Sequence, residues 1–187
     1  MLPEYAGLCG ITKEELETQM QEDVAYLGKR LGKSYEDTME VLRCNYDGYH
    51  FAWPSPDVYN PFSLFSALAN GRIRPYWFST GTPTFLLEML RKFNVLPNKI
   101  GKMSARESEF DTPTEGMHTI TPLLYQSGYL TIKAYDADFD VYTLDLPNQE
   151  IRTGLFENLL PNYLGFGQSG NVTIAFLAKA LCNDDMD

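Results

Sequence analysis

The sequence has few cysteines and histidines, and both shortages narrow the chemistry that it can perform. Among its 187 residues the three cysteines, Cys9, Cys44 and Cys182, stand far apart and form no CxxC pair. This spacing predicts reduced thiols rather than a disulfide framework or a zinc site. The two histidines, His50 and His118, provide neither an HExxH motif nor a pair at metal-ligand spacing. We therefore expect no metal site in this chain.

Basic residues and long apolar runs are also scarce. The chain carries 15 Lys+Arg against 25 Asp+Glu, which gives a formal net charge of -10. This balance opposes non-specific binding to nucleic acid, which depends on basic side chains that neutralise phosphates. No signal peptide is recognisable, and no apolar run is long enough to cross a membrane. The sequence therefore predicts a cytoplasmic protein without a membrane partner.

Motifs for catalysis and for nucleotide binding are largely missing. There is no GxxxxGK[ST] P-loop and no Asp, then Glu-x-Lys pattern of a restriction-type nuclease. Residues 165–170 match GxGxxG, but a predicted helix rather than a strand precedes them, so we interpret them as a loop. Asp47 and His50 could approach each other, with Ser55 and Ser63 near in sequence, but a nucleophilic triad also needs an oxyanion donor. We expect no independent catalysis and no cofactor in this chain.

Helix signals dominate the first half of the chain. Thr12 and Glu15 form a capping box, and Gly32 stands where a C-terminal glycine ends a helix. Ser34 caps a second helix, and Asn60-Pro61 and Thr82-Pro83 each place a cap directly before a proline at the first helical position. The apolar face of the first helix comprises Leu16, Met20, Val24, Leu27 and Leu31, and that of the third comprises Phe62, Phe65 and Leu68.

The second half adds a β-hairpin. Residues 129–135 and 141–146 alternate with period two on either side of a short acidic turn. Asn148 then caps a helix, and a last helix is predicted at 174–181. The predicted fold is mainly α (α+β), with a helical lobe at 1–96, a polar linker at 97–118 and a smaller helix/β-hairpin/helix lobe at 119–187. The order of elements in the smaller lobe is winged-helix-like.

The most distinctive stretch runs from Tyr76-Trp77-Phe78 into a small-residue turn at Thr80, Gly81 and Thr82. Free N–H groups at the start of the following helix make this turn a candidate anion site. The simpler interpretation is that the aromatic residues are core and the turn only begins the helix. Arg152, in the first turn after the hairpin, is a candidate phosphate contact, with a surface salt bridge as the commoner alternative.

Several motifs together resemble the AAA-ATPase-like family of bacterial and archaeal proteins, in the same order and over nearly the whole chain. In that family a P-loop and a Walker B strand precede this segment, and a PD-(D/E)xK-type nuclease domain commonly follows it. The motifs are Tyr5-Ala6-Gly7-Leu8-Cys9-Gly10-Ile11-Thr12, Tyr46-Asp47-Gly48-Tyr49, Tyr59-Asn60-Pro61-Phe62-Ser63, Tyr76-Trp77-Phe78 with Thr80-Gly81-Thr82-Pro83, and Leu146-Pro147-Asn148-Gln149-Glu150-Ile151-Arg152.

The resemblance implies a fragment that is the lid and coupling portion of such an ATPase. It would pack on the nucleotide-binding domain of the same parent chain and link it to the downstream nuclease domain, while ATP and Mg belong to the parent protein. Two alternatives stay open: a winged-helix nucleic-acid-binding module, although Lys133 is the only basic residue in an acidic hairpin, and a standalone protein-interaction domain. The interaction surface expected on this basis comprises Tyr46, Asp47, Tyr49, Tyr59, Asn60, Tyr76 and Trp77.

Overall fold

The computed structural model describes residues 3–80, 84–110, 112–113, 116–159 and 162–163. Within these ranges helices predominate and two small antiparallel sheets accompany them, so the predicted mainly α (α+β) fold class is confirmed. None of the helices in the described part is long and apolar enough to cross a membrane. The predicted loop at 165–170 and the predicted helix at 174–181 lie outside the described residues, as does Cys182.

Eight α-helices are present in the described ranges. The last of them, α8, continues directly into a π-helical turn at Leu155–Leu159. Single 3-10 turns occur at Pro3–Cys9, Tyr76–Thr80 and Pro97–Lys99. The helices are α1 (Lys13–Gln19), α2 (Gln21–Leu31), α3 (Tyr35–Tyr46), α4 (Pro61–Asn70), α5 (Thr84–Lys92), α6 (Glu107–Phe110), α7 (Thr121–Gln126) and α8 (Gln149–Gly154).

The strands form one two-stranded and one three-stranded sheet. β1 (Ile11–Thr12) pairs antiparallel with β2 (Val58–Tyr59), and an isolated bridge joins Tyr49 to Val58. The second sheet has the order β3-β5-β4, where β4 and β5 are the two strands of the predicted hairpin. Its members are β3 (Met103–Ala105), β4 (Thr131–Asp136) and β5 (Val141–Asp145).

Local capping signals predicted four helix starts correctly, at Thr12, Ser34, Asn60 and Asn148, whereas the predicted cap at Thr82 lies outside the described residues. The Thr12 hydroxyl accepts from the Glu15 N–H at 3.2 Å while the Thr12 N–H donates to the Glu15 carboxylate at 2.8 Å, so the capping box is confirmed. The predicted single helix to Leu31 is instead two helices, because the backbone leaves helical geometry at Met20. The Val24 N–H donates to the Met20 carbonyl, which is the first hydrogen bond of the second helix, and Leu16, Val24 and Leu27 are all buried in the first cluster.

The predicted buried face of α4 is wrong. Phe62 and Phe65 are 51% and 47% exposed, although Leu68 is buried as predicted. Phenylalanine is apolar on either face of a helix, and the rotation of α4 is set by the neighbours against which it packs. The face that packs against them comprises Ser63, Leu64, Ala67 and Leu68.

Two hydrophobic clusters fill the described part of the molecule. The first is built from α1 to α4 and contains Leu16, Leu27 and Leu64. The second is larger, begins at Phe78 and extends to Leu159, with Tyr49 and Val58 contributed by the first half of the chain. Helix α5 packs in this second cluster rather than with the other early helices.

The segment at 97–118, predicted from its polarity to be a linker, packs into the second cluster. Its strand β3 pairs with β5, with Ser104 opposite Thr143. Buried residues alternate irregularly with exposed ones here, which explains why no periodicity was visible in the sequence. The core residues from this segment are Ile100, Ala105, Phe110 and Met117.

Candidate functional site

A set of buried polar contacts joins the first cluster to the second, and we call it the seam. It consists of Asp47-Gly48, His50, Ser63 and Trp77 on one side and Thr131, Lys133, Pro147, Asn148 and Glu150 on the other. Helix α3 ends at Asp47, whose extended backbone turns the chain toward the hairpin. The Asn148 side-chain amide donates to the Asp47 carbonyl at 2.9 Å, and the Asn148 Oδ1 caps α8 by accepting from the Ile151 N–H. One side chain therefore fixes both the end of α3 and the start of α8.

Lys133 makes the central contact of the seam. Its Nζ donates to the Gly48 carbonyl at 2.8 Å and to the Pro147 carbonyl at 3.3 Å. Burial lowers the pKa of Lys133, and the nearby carboxylates of Asp57, Asp145 and Asp47 oppose that shift.

Gly48 is required at this point of the seam. Its φ of +93° is unfavourable for residues with a Cβ, and a Cβ here would also run into the Pro147 carbonyl oxygen. The Asp-Gly pair that the sequence marks as a turn is therefore also a close approach between distant segments.

A reciprocal pair of hydrogen bonds secures the loop at residues 50–57, which we call the aromatic loop, to the hairpin. The Thr131 hydroxyl accepts from the His50 N–H at 2.7 Å and donates to the His50 carbonyl at 3.0 Å. Thr131 is almost fully buried in β4. The backbone of the loop that follows Tyr49 is thus held at its base by a side chain of the hairpin.

Glu150 is the most unusual group in the seam because it is a carboxyl group that is only 2% exposed. Its Oε1 accepts from the Trp77 N–H at 2.9 Å, whereas its Oε2 has no partner among the described residues. Burial raises the pKa of Glu150 to about 7, against the lowering effect of the hydrogen bond from the Trp77 N–H. The Ser63 hydroxyl is also buried without a hydrogen bond in the described part of the chain. A proton on Oε2 would let the acid donate to Ser63 and would satisfy both groups.

A second carboxyl group in the seam is also short of partners. Asp47 is 8% exposed, and its Oδ1 makes no hydrogen bond within the described ranges. Burial raises its pKa to about 6, with a further contribution from the negative charge of Asp57, while the Gly48 N–H lowers it. Both buried acids of the seam are therefore shifted toward the neutral form.

Most residues of the predicted interaction surface lie inside the chain. Tyr46 is fully buried, and its hydroxyl donates to the Arg74 carbonyl while it accepts from the Arg74 N–H. Tyr49, Tyr59 and Asn60 are buried as well, like Asp47, so they pack this chain rather than cover its outside. The remaining two predicted surface residues, Tyr76 and Trp77, are half-buried.

Only some of the predicted anion contacts lie among the described residues. Thr80 ends the 3-10 turn at Tyr76–Thr80, whereas Gly81 and Thr82 lie outside the described residues. Arg152 is exposed on α8, a helix that packs against that same turn. The anion site stays a prediction.

His50 pairs with Asp57, not with Asp47. Its Nε2 lies 2.7 Å from the Asp57 Oδ1, and its Nδ1 lies 3.2 Å from the Ser55 Oγ. The Ser55 hydroxyl donates to the Ala52 carbonyl at 2.9 Å, so its proton is directed away from the imidazole. This arrangement resembles a nucleophilic triad in composition, but its hydrogen bonds brace the loop.

An aromatic cavity of about 250 Å³ opens beside the seam. A Cβ added at Gly128 would lie 3.4 Å from the Trp77 ring and would begin to fill the space, and the φ of Gly128 is +75°. Among the residues that the structure describes, the lining contains no charged side chain. It comprises Cys9, Tyr49, Phe51, Tyr59, Asn60, Pro61, Trp77, Tyr125, Gln126, Ser127 and Gly128.

Exposed apolar side chains lie next to this cavity in sequence. Leu8, which is 79% exposed, precedes the lining residue Cys9, and Phe62 follows the lining residue Pro61. Phe65 lies one helical turn after Phe62 on α4 and is exposed on the same side. We call Leu8, Phe62 and Phe65 the apolar rim.

Among the described residues, no group of three or more His, Cys, Asp or Glu could hold a metal ion.

Sequence reasoning identified Asp47, Trp77 and the Asn148 cap but did not connect them. The sequence did carry a signal for two other seam residues. Lys133 is the only basic residue of the acidic hairpin, and Glu150 lies in the motif at 146–152 that resembles the AAA-ATPase-like family. Nothing in the sequence pattern pointed to Thr131, because a buried threonine in a strand is unremarkable.

The comparisons with known proteins give one relative. The chain is similar to an uncharacterized protein encoded in the 5' region of vnfD of Azotobacter chroococcum mcd 1, with 31% identity over 162 residues. That stretch is 86% of this chain but 29% of the relative, so the chain spans less than a third of that protein's length. The chain matches no protein-family model. No solved structure matches it either.

Proposed function

We propose that this chain is the lid and coupling segment of a larger AAA-ATPase-like protein. It packs on the nucleotide-binding domain of the same polypeptide and passes the nucleotide state to a downstream nuclease domain, and ATP with Mg is bound by the parent protein. The motif resemblance from Tyr5 to Arg152 supports this proposal. A relative that extends far beyond the aligned segment is consistent with it.

The seam is the observation that carries the proposal. A coupling segment must transmit a displacement without absorbing it, and coupling through a protein depends on such packed and hydrogen-bonded connections. Lys133, Asn148 and Glu150 connect parts of the chain that are 73 to 101 residues apart in sequence. A shift imposed on α3 would therefore reach α8 through hydrogen bonds to the Asp47 and Gly48 carbonyls.

The apolar rim is the proposed contact with the nucleotide-binding domain. Contiguous exposed apolar groups mark interaction sites more often than scattered single ones. Phe62 and Phe65 are exposed one helical turn apart on α4, and Leu8 precedes a residue that lines the same cavity as Pro61. This surface replaces the mostly buried one that the sequence predicted. Thr80, Gly81, Thr82 and Arg152 remain the candidate contacts to nucleotide phosphates in this proposal, and the exposed Arg152 is free to reach outward.

The nucleic-acid-binding alternative is less well supported. A DNA-binding wing needs basic side chains that face phosphates. The Lys133 ammonium group instead donates to two carbonyls of its own chain. The other charged residues of the hairpin are Asp136, Asp138, Asp140 and Asp145.

The test uses the full polypeptide that contains this segment. Asn148→Ala removes the contact to Asp47 and the cap of α8, whereas the control Asn70→Ala removes only a bond within α4 to the Ser66 carbonyl. We expect Asn148→Ala to retain ATP hydrolysis and to lose the ATP dependence of DNA cleavage. Asn70→Ala should retain both.

A second variant guards against misfolding of the first. Lys133→Met should give the same uncoupling, because it breaks the seam at a different point. If the full polypeptide contains no P-loop, or if both seam variants leave cleavage dependent on ATP, the proposal fails, and capture of a separate protein partner would favour the interaction-domain alternative.

A further inference from the structure

The aromatic cavity is a binding site in its own right, separate from the coupling role. We propose that it takes an uncharged planar aromatic ring that carries one N–H or O–H group, as in a phenol or an indole. This inference does not rest on the proposed function, because it concerns only the walls of the cavity.

The size of the cavity fits one ring or two fused rings. An apolar cavity of roughly 150 Å³ is enough for benzene, and this one has about 250 Å³. Its aromatic walls favour another ring, because offset or edge-to-face contacts between rings add to the gain from burial. The lining aromatic residues are Tyr49, Phe51, Tyr59, Trp77 and Tyr125.

The polar atoms of the wall define the ring more closely. None of the described residues that line the cavity is charged, so a charged ring would lose its hydration without gaining a partner among them. Gln126 donates through Nε2 to the Phe110 carbonyl at 2.6 Å, which leaves its Oε1 as an acceptor. The Ser127 hydroxyl donates to the Leu123 carbonyl. A ring with a single donor is therefore preferred over a plain hydrocarbon.

Such a ring has two sources, a free small molecule or a tyrosine or tryptophan side chain of a protein. Cys9 is exposed at the wall, which leaves room for a ligand that extends beyond the cavity. The two sources share the ring chemistry and differ in whether a peptide backbone is tolerated at the mouth.

The test uses Trp77 as an internal reporter. The chain has two tryptophans, so Trp53→Phe leaves Trp77 as the one site for 5-fluorotryptophan and a single ¹⁹F signal. We expect p-cresol and 3-methylindole to shift this signal in a saturable manner, and benzoate not to. N-acetyltyrosinamide and N-acetyltryptophanamide then separate the sources: binding as tight as that of the free rings indicates a protein side chain, and loss of binding indicates a small molecule.

Gln126→Leu should weaken p-cresol binding about tenfold and leave toluene binding unchanged, since it removes one hydrogen bond. The matched control Gln149→Leu lies on the exposed side of α8 and should change neither. If Gln126→Leu does not fold, a chain with Cys44→Ser and Cys182→Ser keeps Cys9 as the one thiol, and p-cresol should slow its alkylation. No saturable shift with either ring at millimolar concentration, or equal affinity for toluene and p-cresol, overturns the inference.

Discussion

Glu150 shows how a single residue can stabilise the fold in one protonation state only. Its folded pKa is about 7, whereas the ordinary value is 4.5, and burial is the main cause. A raised pKa of an acid means that the folded state favours the neutral form. The stabilisation is therefore complete below pH 4.5 and is lost as the pH rises through 7. Asp47, with a pKa of about 6, acts in the same direction.

The pH dependence gives the first prediction. Glu150→Gln replaces the acid by a neutral group of the same shape, so the free energy of unfolding should fall less between pH 5 and pH 8 than in the wild type, by about 2 kcal/mol. Urea unfolding at both pH values measures this. Glu22→Gln, on the exposed face of α2, serves as the control and should leave the pH dependence unchanged. An identical slope in Glu150→Gln and wild type would show that Glu150 is charged in the folded state.

Lys133 gives the second prediction at this scale. Lys133→Met keeps the aliphatic stem but leaves the Gly48 and Pro147 carbonyls without their donor, which should lower the free energy of unfolding by about 1–3 kcal/mol. Chemical denaturation measures the loss. The exposed Lys99→Met is the matched variant, with an expected change within about 0.5 kcal/mol. Equal stability of both variants would mean that water replaces the ammonium group.

At the scale of elements, helix α4 has one face that packs in the core and another that is exposed to solvent. Leu64 is fully buried in the first cluster, whereas Phe65, the next residue, is half exposed. Leu64→Ala should cost about 2–5 kcal/mol because it leaves a cavity in the core. Phe65→Ala should cost less than about 1 kcal/mol. Urea midpoints at constant m-value compare the two, and a similar loss in both would place Phe65 in the core.

The helices show which features can be predicted from the sequence and which cannot. Caps at Thr12, Ser34, Asn60 and Asn148 were predicted correctly because each depends on residues within three positions of it. The burial of Phe62 and Phe65 was not, since the rotation of a helix is decided by the neighbours that cover it. Strand β3 was missed for a related reason: three residues are too few to show alternation, and pairing with β5 across nearly forty residues leaves no local signal.

The candidate site was harder to predict than the elements. Tyr46-Asp47-Gly48-Tyr49 was recognised as unusual, but its aromatic residues turned out to be internal. Contacts such as Asn148 to Asp47 join residues 101 positions apart, and neither partner carries a pattern that indicates the other. The cavity likewise takes its lining from four separate segments.

For the whole molecule, the seam predicts that the two clusters unfold together. Tyr49 and Val58 belong to the second cluster although they lie between helices of the first, so the second cluster is not complete without the first part of the chain. Amide exchange in α2 and in β5 should report the same opening free energy in the wild type. In the double variant Lys133→Met with Asn148→Ala, the two elements should differ by 1 kcal/mol or more. Independent exchange already in the wild type would contradict a cooperative seam.

The hydrogen bonds between Thr131 and His50 join residues 81 positions apart in sequence, and this separation has a consequence during synthesis. A ribosome that has made residues 1–70 has completed the helices of the first cluster, while Thr131, whose side chain holds the base of the aromatic loop, is still about 60 codons away. At an elongation rate of roughly 5–20 residues per second, the nascent chain spends several seconds with Tyr49 and Val58 uncovered. Slow decoding between residues 60 and 131 would prolong that interval, so synonymous codon choice in this stretch should govern how much of the chain is captured by chaperones before the hairpin arrives.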